Sequence, residues 1–269
     1  MKQLIVNADD YGRSPEISRG IREAHLHGIV TSTTCMMNIP TTAEDVAVAI
    51  RETPTLGMGV HLVLTMGQPI LPREKVPTLV DEQGNHLKYD PFIENIPKLN
   101  MEEVKAEWRT QIEAFIKVAG KKPTHLDSHH HSSFFSPALF RAMLEIAAEY
   151  GCPIRYPLVP TDVDSREFSE TIKSASDLLN EFNARRPDVF FVNFYDENAT
   201  KEQLLNVLNT VGEGTSEIMC HPGHVDDAFA RESVYNFQRE RELQILTDPS
   251  IKDAIEVRGI KLITFAELR

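Results

Sequence analysis

The sequence predicts an α/β fold in which a parallel sheet curls into a closed or partly closed barrel. Short β-branched runs alternate with longer amphipathic runs along most of the 269 residues, the pattern of a parallel sheet with covering helices. About seven or eight such units follow one another, which favours a barrel over a doubly wound sheet. Neither GxGxxG nor GxxxxGK[ST] occurs, so the nucleotide-binding versions of the class lose their best sequence support. The length suits an α/β barrel folded as one unit. We therefore expect one catalytic domain spanning residues 1–269.

The first strand is QLIVNADD, and the helix ISRGIREAHLHG follows with apolar residues at helical spacing, closed by Gly28. IVTSTTCMMN is β-branched and strand-like, and TTAEDVAVAIRET runs on as a helix. GMGVHLVLT is the third strand. An irregular stretch at about 65–100 carries Pro69, Pro72, Pro77, Pro91 and Pro97. A loop of that length is commonly functional, and we expect a flap over the site or a dimerisation arm; a surface insertion is the plain alternative. MEEVKAEWRTQIEAFIKVAG is a long amphipathic helix, and KKPTHLDSHHH is a strand leading into a histidine-rich loop. SPALFRAMLEIAAEYG is helical, with Pro137 suited to its first turn. PIRYPL, DVFFVNFYDE and SEIMCHPG read as strands, with EQLLNVLNTVG helical before the last. FQRERELQILTDPSIKDAIEVRG is helical, and KLITFAEL closes the chain as a strand and turn.

The net charge of −12 and the scattered basic residues argue against nucleic acid or an anionic membrane as partner, because phosphate recognition needs clustered Lys and Arg. Cys35, Cys152 and Cys220 are far apart, so a disulfide framework or Cys-rich zinc site is not expected. The apolar run at residues 4–6 is too short for a signal-peptide core. No run approaches the roughly 20 residues of a membrane helix. The expected setting is a reducing cytoplasm.

In parallel α/β folds reactive groups gather beyond the carboxyl ends of the strands. Asp9 and Asp10 end the first strand, and His61 lies in the third among apolar residues. His125 and Asp127 end the fourth, Asp196 ends FFVNFYD, and His221 and His224 end IMCHPGH. Five strand ends thus bring Asp or His toward one face. Two adjacent acids in a dry pocket repel unless a cation neutralises them, so a metal is expected beside Asp9 and Asp10. Adjacent strand residues point to opposite faces, so one acid should ligate and the other serve as a base; a solvated turn before Gly12 is the alternative. His125 and Asp127 should point to one side of their strand, with Asp127 holding a ring nitrogen. Pro222 and Gly223 fix a turn that would hold His221 at the edge of the site, suited to a general acid or to a structural role. Imidazole with carboxylate suits zinc or another transition ion, and magnesium less well. The serines lack a G-x-S-x-G setting, which disfavours a serine hydrolase.

In order along the chain, NADDYG, VHLVLT, HLDSHHH and MCHPGH closely resemble the YdjC-like carbohydrate deacetylases, over essentially the whole length. The resemblance implies an irregular or distorted (β/α) barrel, similar to that of the polysaccharide deacetylases. It further implies removal of an acetyl group from an N-acetylated carbohydrate such as a chitooligosaccharide. It implies a divalent metal, Mg(2+), held by Asp10, His61 and His125, with Asp9 as catalytic base, and a homodimer. On the chemistry of amide hydrolysis, His221, or else His129 or His130, would protonate the leaving amine. A phosphoesterase or other metallohydrolase, and a non-catalytic sugar- or metal-binding protein, are the rival readings.

Overall fold

The computed structural model describes residues 1–155 and 169–268. The chain runs β1 (Lys2–Tyr11), α1 (Pro15–Leu26), β2 (Ser32–Cys35), α2 (Thr42–Glu52), β3 (Gly57–Leu62), α3 (Tyr89–Asn95), α4 (Met101–Ala119), β4 (Leu126–Ser128) and α5 (Pro137–Tyr150). It continues as α6 (Ser169–Glu181), β5 (Val189–Phe191), α7 (Lys201–Thr210), β6 (Gly214–Cys220), α8 (Asp227–Glu232), α9 (Phe237–Leu246), α10 (Pro249–Val257) and β7 (Lys261–Leu262). The strands form one parallel sheet in the order β4-β3-β2-β1-β6-β5, and β7 pairs with the start of β1. The sheet is curled into a half-barrel with helices around it, an irregular α/β barrel.

Strand periodicity explains the two sides of the sheet. In β1, Leu4, Val6 and Ala8 join the large core shared with the helices. Ile5 instead packs with Ile263, Phe265 and Leu268 in a small core at the strands' amino ends. Asn7 and Asp9 continue that inner row upward, so the interior changes from apolar floor to polar mouth along a single strand. Both faces of β1 are buried from Leu4 to Tyr11, as expected of a central parallel strand.

Capping fixes the helices that flank the mouth. Ser14, Asn100, Ser136 and Asp248 each accept a backbone N–H of the first turn of α1, α4, α5 and α10, worth about 1 kcal/mol apiece. Gly28 stands just after His27, the C-cap of α1, where the sequence places the helix end. Its glycine is required because a Cβ would lie 2.4 Å from the Leu246 carbonyl. Likewise a Cβ on Gly20 would lie 2.6 Å from the Gly223 Cα, so α1 presses directly on the turn after β6. The helical stretch expected from residue 237 divides in two, because Pro249 starts a second helix capped by Asp248.

The segment at about 65–100 is more ordered than the sequence implies. It contains α3, a bridge between Val80 and His86, and buried Val76, Leu79 and Phe92. The carboxylate of buried Glu107, on α4, accepts the N–H groups of Ile70 and Leu71 at 2.9 and 3.0 Å. The strand expected from DVFFVNFYDE is confined to β5, and that from PIRYPL falls partly outside the described residues, with Ile154 bridging Leu126.

Candidate active site

The end of β1 carries the first surprise. Strand alternation predicts opposite directions for Asp9 and Asp10, yet both reach the mouth of the half-barrel. The pairing of β1 with β2 shifts register between Ala8 and Tyr11, and Asp10 has φ 68°. That left-handed conformation costs a non-glycine residue about 1–2 kcal/mol. It turns Asp10 back beside Asp9, and the strain is held by the surrounding contacts.

Asp10, His61 and His129 each offer a ligand atom, and these three atoms lie within 4.8 Å of one another. All three residues are buried. Asp10 Oδ1 has no hydrogen-bond partner among the described residues, although His129 Nδ1 is 3.2 Å away and His61 Nε2 is 3.5 Å away. A buried carboxylate oxygen left unsatisfied between two imidazoles fits a divalent cation. Burial opposes charge on Asp10, but Arg239 and His129 outweigh it and hold the carboxyl well below its usual range. Burial lowers the His129 pKa against the opposing pull of Asp10, which favours the neutral form in which imidazole binds a metal. Asp127 Oδ1 holds His61 Nδ1 at 2.6 Å, across the directly paired residues of β3 and β4. Thr34 Oγ1 donates to the other Asp127 oxygen at 3.0 Å. This carboxylate support orients His61 with Nε2 toward Asp10. Burial works against a charged His61, yet Asp127, Asp9 and Asp10 push it up to about 9.

His125, expected as a ligand, is elsewhere. Its ring stacks on Phe265 at 3.8 Å. Its Nε2 lies 3.0 Å from Asn7 Oδ1 and its Nδ1 2.9 Å from Thr124 Oγ1. Both nitrogens are therefore engaged, one layer below Asp127, and Asp127 supports His61 rather than His125. The loop HHHSSF forms a short 3₁₀ turn in which His130 and His131 have φ 55°, which lets His129 fold back over the mouth. His130 stacks on His129 and meets Thr65 Oγ1 at 3.1 Å.

Asp9 lies at the centre of a buried charge network. Arg155 grips it with two hydrogen bonds of 2.7 and 2.6 Å and reaches Asp127 at 3.1 Å and Glu217 at 2.8 Å. Burial alone would raise the Asp9 pKa, but Arg155 more than reverses this and holds the carboxyl below its usual range. Asn7 Nδ2 donates to Asp9 Oδ1 at 2.8 Å. Sequence reading missed Arg155 and Glu217, although each is a charged residue inside a run read as a strand, PIRYPL and SEIMCHPG.

His221 Nε2 lies 4.0 Å from Asp9 Oδ2, and its Nδ1 is buried without a partner among the described residues. Burial pushes its pKa down to about 4, so the ring is neutral. Its backbone N–H donates to Glu242 at 2.5 Å, and Glu242 also accepts from the Tyr235 hydroxyl. Arg239, one turn before Glu242 on α9, pairs with Asp10. Thus α9 braces Asp10 and the His221 backbone together. The remaining strand-end residues are not part of the cluster. His224 pairs with Glu23 of α1 at 2.8 Å, and Asp196 bonds Gln238 at the rim. An open cavity of about 590 Å³, bordered by Gln3, Asp188, Thr215 and Lys261, lies at the opposite, amino end of the strands.

The sequence profile described as YdjC-like protein matches residues 3–257. A carbohydrate deacetylase from Enterococcus faecalis is 40% identical over 272 aligned residues, covering 99% of this chain and 98% of the relative. A chitooligosaccharide deacetylase from Salmonella paratyphi B is 37% identical, covering 98% of each. A crystal structure from Enterococcus faecalis, provisionally named a cellobiose-phosphate cleavage protein, superposes with TM-score 0.88 at 40% identity, covering 98% of this chain and 97% of the other. The Xyl-CE4 domain of a multidomain xylanase from the hindgut metagenome of Trinervitermes trinervoides is similar in fold, with TM-score 0.50 at 8% identity and coverage of 99% and 88%.

Proposed function

Because this chain belongs to the YdjC-like protein family, we propose that it is a carbohydrate deacetylase: a hydrolase that removes the acetyl group from an N-acetylated sugar or short chitooligosaccharide. The observation that carries this reading is the juxtaposition, at one mouth of the barrel, of the Asp10–His61–His129 group with Asp9 and His221. The near-full-length likeness to carbohydrate deacetylases supports it.

Asp10, His61 and His129 would hold a divalent cation. Such an ion, when bound, polarises the acetyl carbonyl and acidifies a water. Family resemblance points to magnesium, whereas one carboxylate and two imidazoles suit zinc or another transition ion better. Metal analysis of purified protein separates the two. Asp9, fixed and ionised by Arg155, accepts the proton of the attacking water, and His221 protonates the departing amine. One observation favours a second assignment of the base. Both Asp9 oxygens are already hydrogen-bonded to Arg155, whereas His221 is neutral with a vacant nitrogen. In that reading His221 takes the water's proton and returns it to the amine, and Asp9 only orients and stabilises the charged ring. Replacing Asp9 by Asn separates the two: a residual rate whose acid limb moves to lower pH favours His221, because the ring loses the charge that raises its pKa, and complete loss favours Asp9.

Acetate release from N,N′-diacetylchitobiose by protein loaded in turn with magnesium and zinc tests the function. No acetate from this or other N-acetylated saccharides, with the ion bound, overturns it. We also propose a cytoplasmic enzyme, in keeping with three free, buried cysteines, acting as one catalytic unit in a homodimer. Sedimentation as a monomer would refute the dimer.

A further inference from the structure

We infer that Tyr195 is a stacking platform for a second pyranose ring, next to the acetylated one, and that it makes the enzyme selective for oligosaccharides; this rests on the deacetylase reading above. Tyr195 sits at the rim of the mouth and is 44% exposed. One face of its ring lies parallel on Tyr235, with centroids 4.7 Å apart and planes at 6°. Its edge meets His221 at 5.4 Å and 66°. The exposed part of the ring is therefore directed away from Tyr235, beside the histidine that would serve the leaving amine.

The ring is also held still. Asp196, the next residue, has φ 51°, a conformation that persists only where neighbours enforce it. Its N–H donates to the Tyr235 hydroxyl at 3.0 Å and its Oδ1 accepts from Gln238 at 2.9 Å. Arg241 reaches its carbonyl oxygen. The Tyr235 hydroxyl in turn donates to Glu242, which accepts the His221 N–H. Tyr195 and His221 thus hang from one anchor, and their spacing is set before substrate arrives. A pyranose presents a face of C–H groups that packs on an aromatic plane, and a fixed Tyr supplies that contact at little entropic cost. A neighbouring ring seated here would place its linked partner over the catalytic group.

Steady-state acetate release by metal-loaded wild type, Tyr195→Ala and Tyr195→Phe tests this, with N,N′-diacetylchitobiose and N-acetylglucosamine as substrates. Tyr195→Ala should raise KM for the disaccharide about tenfold, equivalent to about 1.4 kcal/mol, with kcat unchanged and the monosaccharide unaffected. Tyr195→Phe should restore KM, since the ring face and not the hydroxyl makes the contact. An unchanged disaccharide KM in Tyr195→Ala, equal losses on both sugars, or a fall in kcat alone would each overturn the platform. Matching thermal melts of the variants exclude a folding defect. A wild type that releases no acetate from either sugar would instead bring down the deacetylase reading, and the platform with it.

Discussion

At the residue scale, His125 and His129 mark what a strand sequence can and cannot reveal. Alternation assigns His125 and Asp127 to the same inward face, and the structure agrees. It does not assign depth. Two residues along a strand are about 6.6 Å apart, enough to move His125 down to Phe265 while Asp127 reaches His61. His129 escaped because its position depends on the left-handed backbone of His130 and His131, which no periodicity encodes. His61 was legible because a lone imidazole in an apolar strand must be satisfied by something nearby. The two histidines therefore make opposite predictions. His129→Ala should lose bound zinc, weakening affinity at least about tenfold by isothermal titration. His125→Gln should keep the ion but lose about 1–3 kcal/mol of stability with its ring stack and buried hydrogen bonds. Retention of zinc by His129→Ala with loss in His125→Gln would restore the assignment drawn from sequence.

At the scale of elements, strands and helices of ordinary length were readable, because apolar spacing and caps act locally. The split between α9 and α10 is likewise written locally, in Asp248 and Pro249, but the bulge that turns Asp10 and the order within the segment at 65–100 are not. Each depends on partners distant in sequence. That segment is fastened to α4 by Glu107, which is fully buried and accepts two backbone N–H groups as well as the Gln111 amide. Gln111 in turn clamps both backbone groups of Val63, just beyond β3 and its His61. Glu107→Ala removes the acceptor of the part-buried Ile70 and Leu71 N–H groups, a loss of about 1–3 kcal/mol. The variant should melt earlier and be nicked by protease near residues 70–76, where wild type resists. Equal resistance in both would mean that the apolar contacts of Val76, Leu79 and Phe92 hold the segment without the clamp.

At the scale of the whole molecule, the half-barrel concentrates charge in its interior. Asp9, Asp127 and Glu217 surround the single guanidinium of Arg155, and Glu217 Oε2 has no partner among the described residues. Three carboxylates around one cation cannot all ionise cheaply in a buried site. Burial pushes Glu217 up to about 8; Arg155 opposes the rise, and Asp9 and Asp127 add to it. An unfolded glutamate titrates near 4.3. Between that value and about 8 the native state holds a proton that the unfolded state has released. Stability from this group therefore falls as pH rises through the window and levels off above it. Asp9 acts in the opposite direction. Its folded pKa is lowered, so its stabilisation is present above the unfolded aspartate value, about 3.9, and is lost on further acidification. The two effects occupy separate pH ranges and can be measured apart. Urea midpoints of metal-stripped wild type should fall between pH 5 and pH 8 more steeply than those of Glu217→Gln, whose amide oxygen can still accept from Arg155 Nε. Parallel curves would mean that Glu217 is ionised in the fold and that Arg155 neutralises all three acids. The steeper wild-type slope would place the proton of this crowded interior on Glu217, leaving the ionised Asp9 to face substrate.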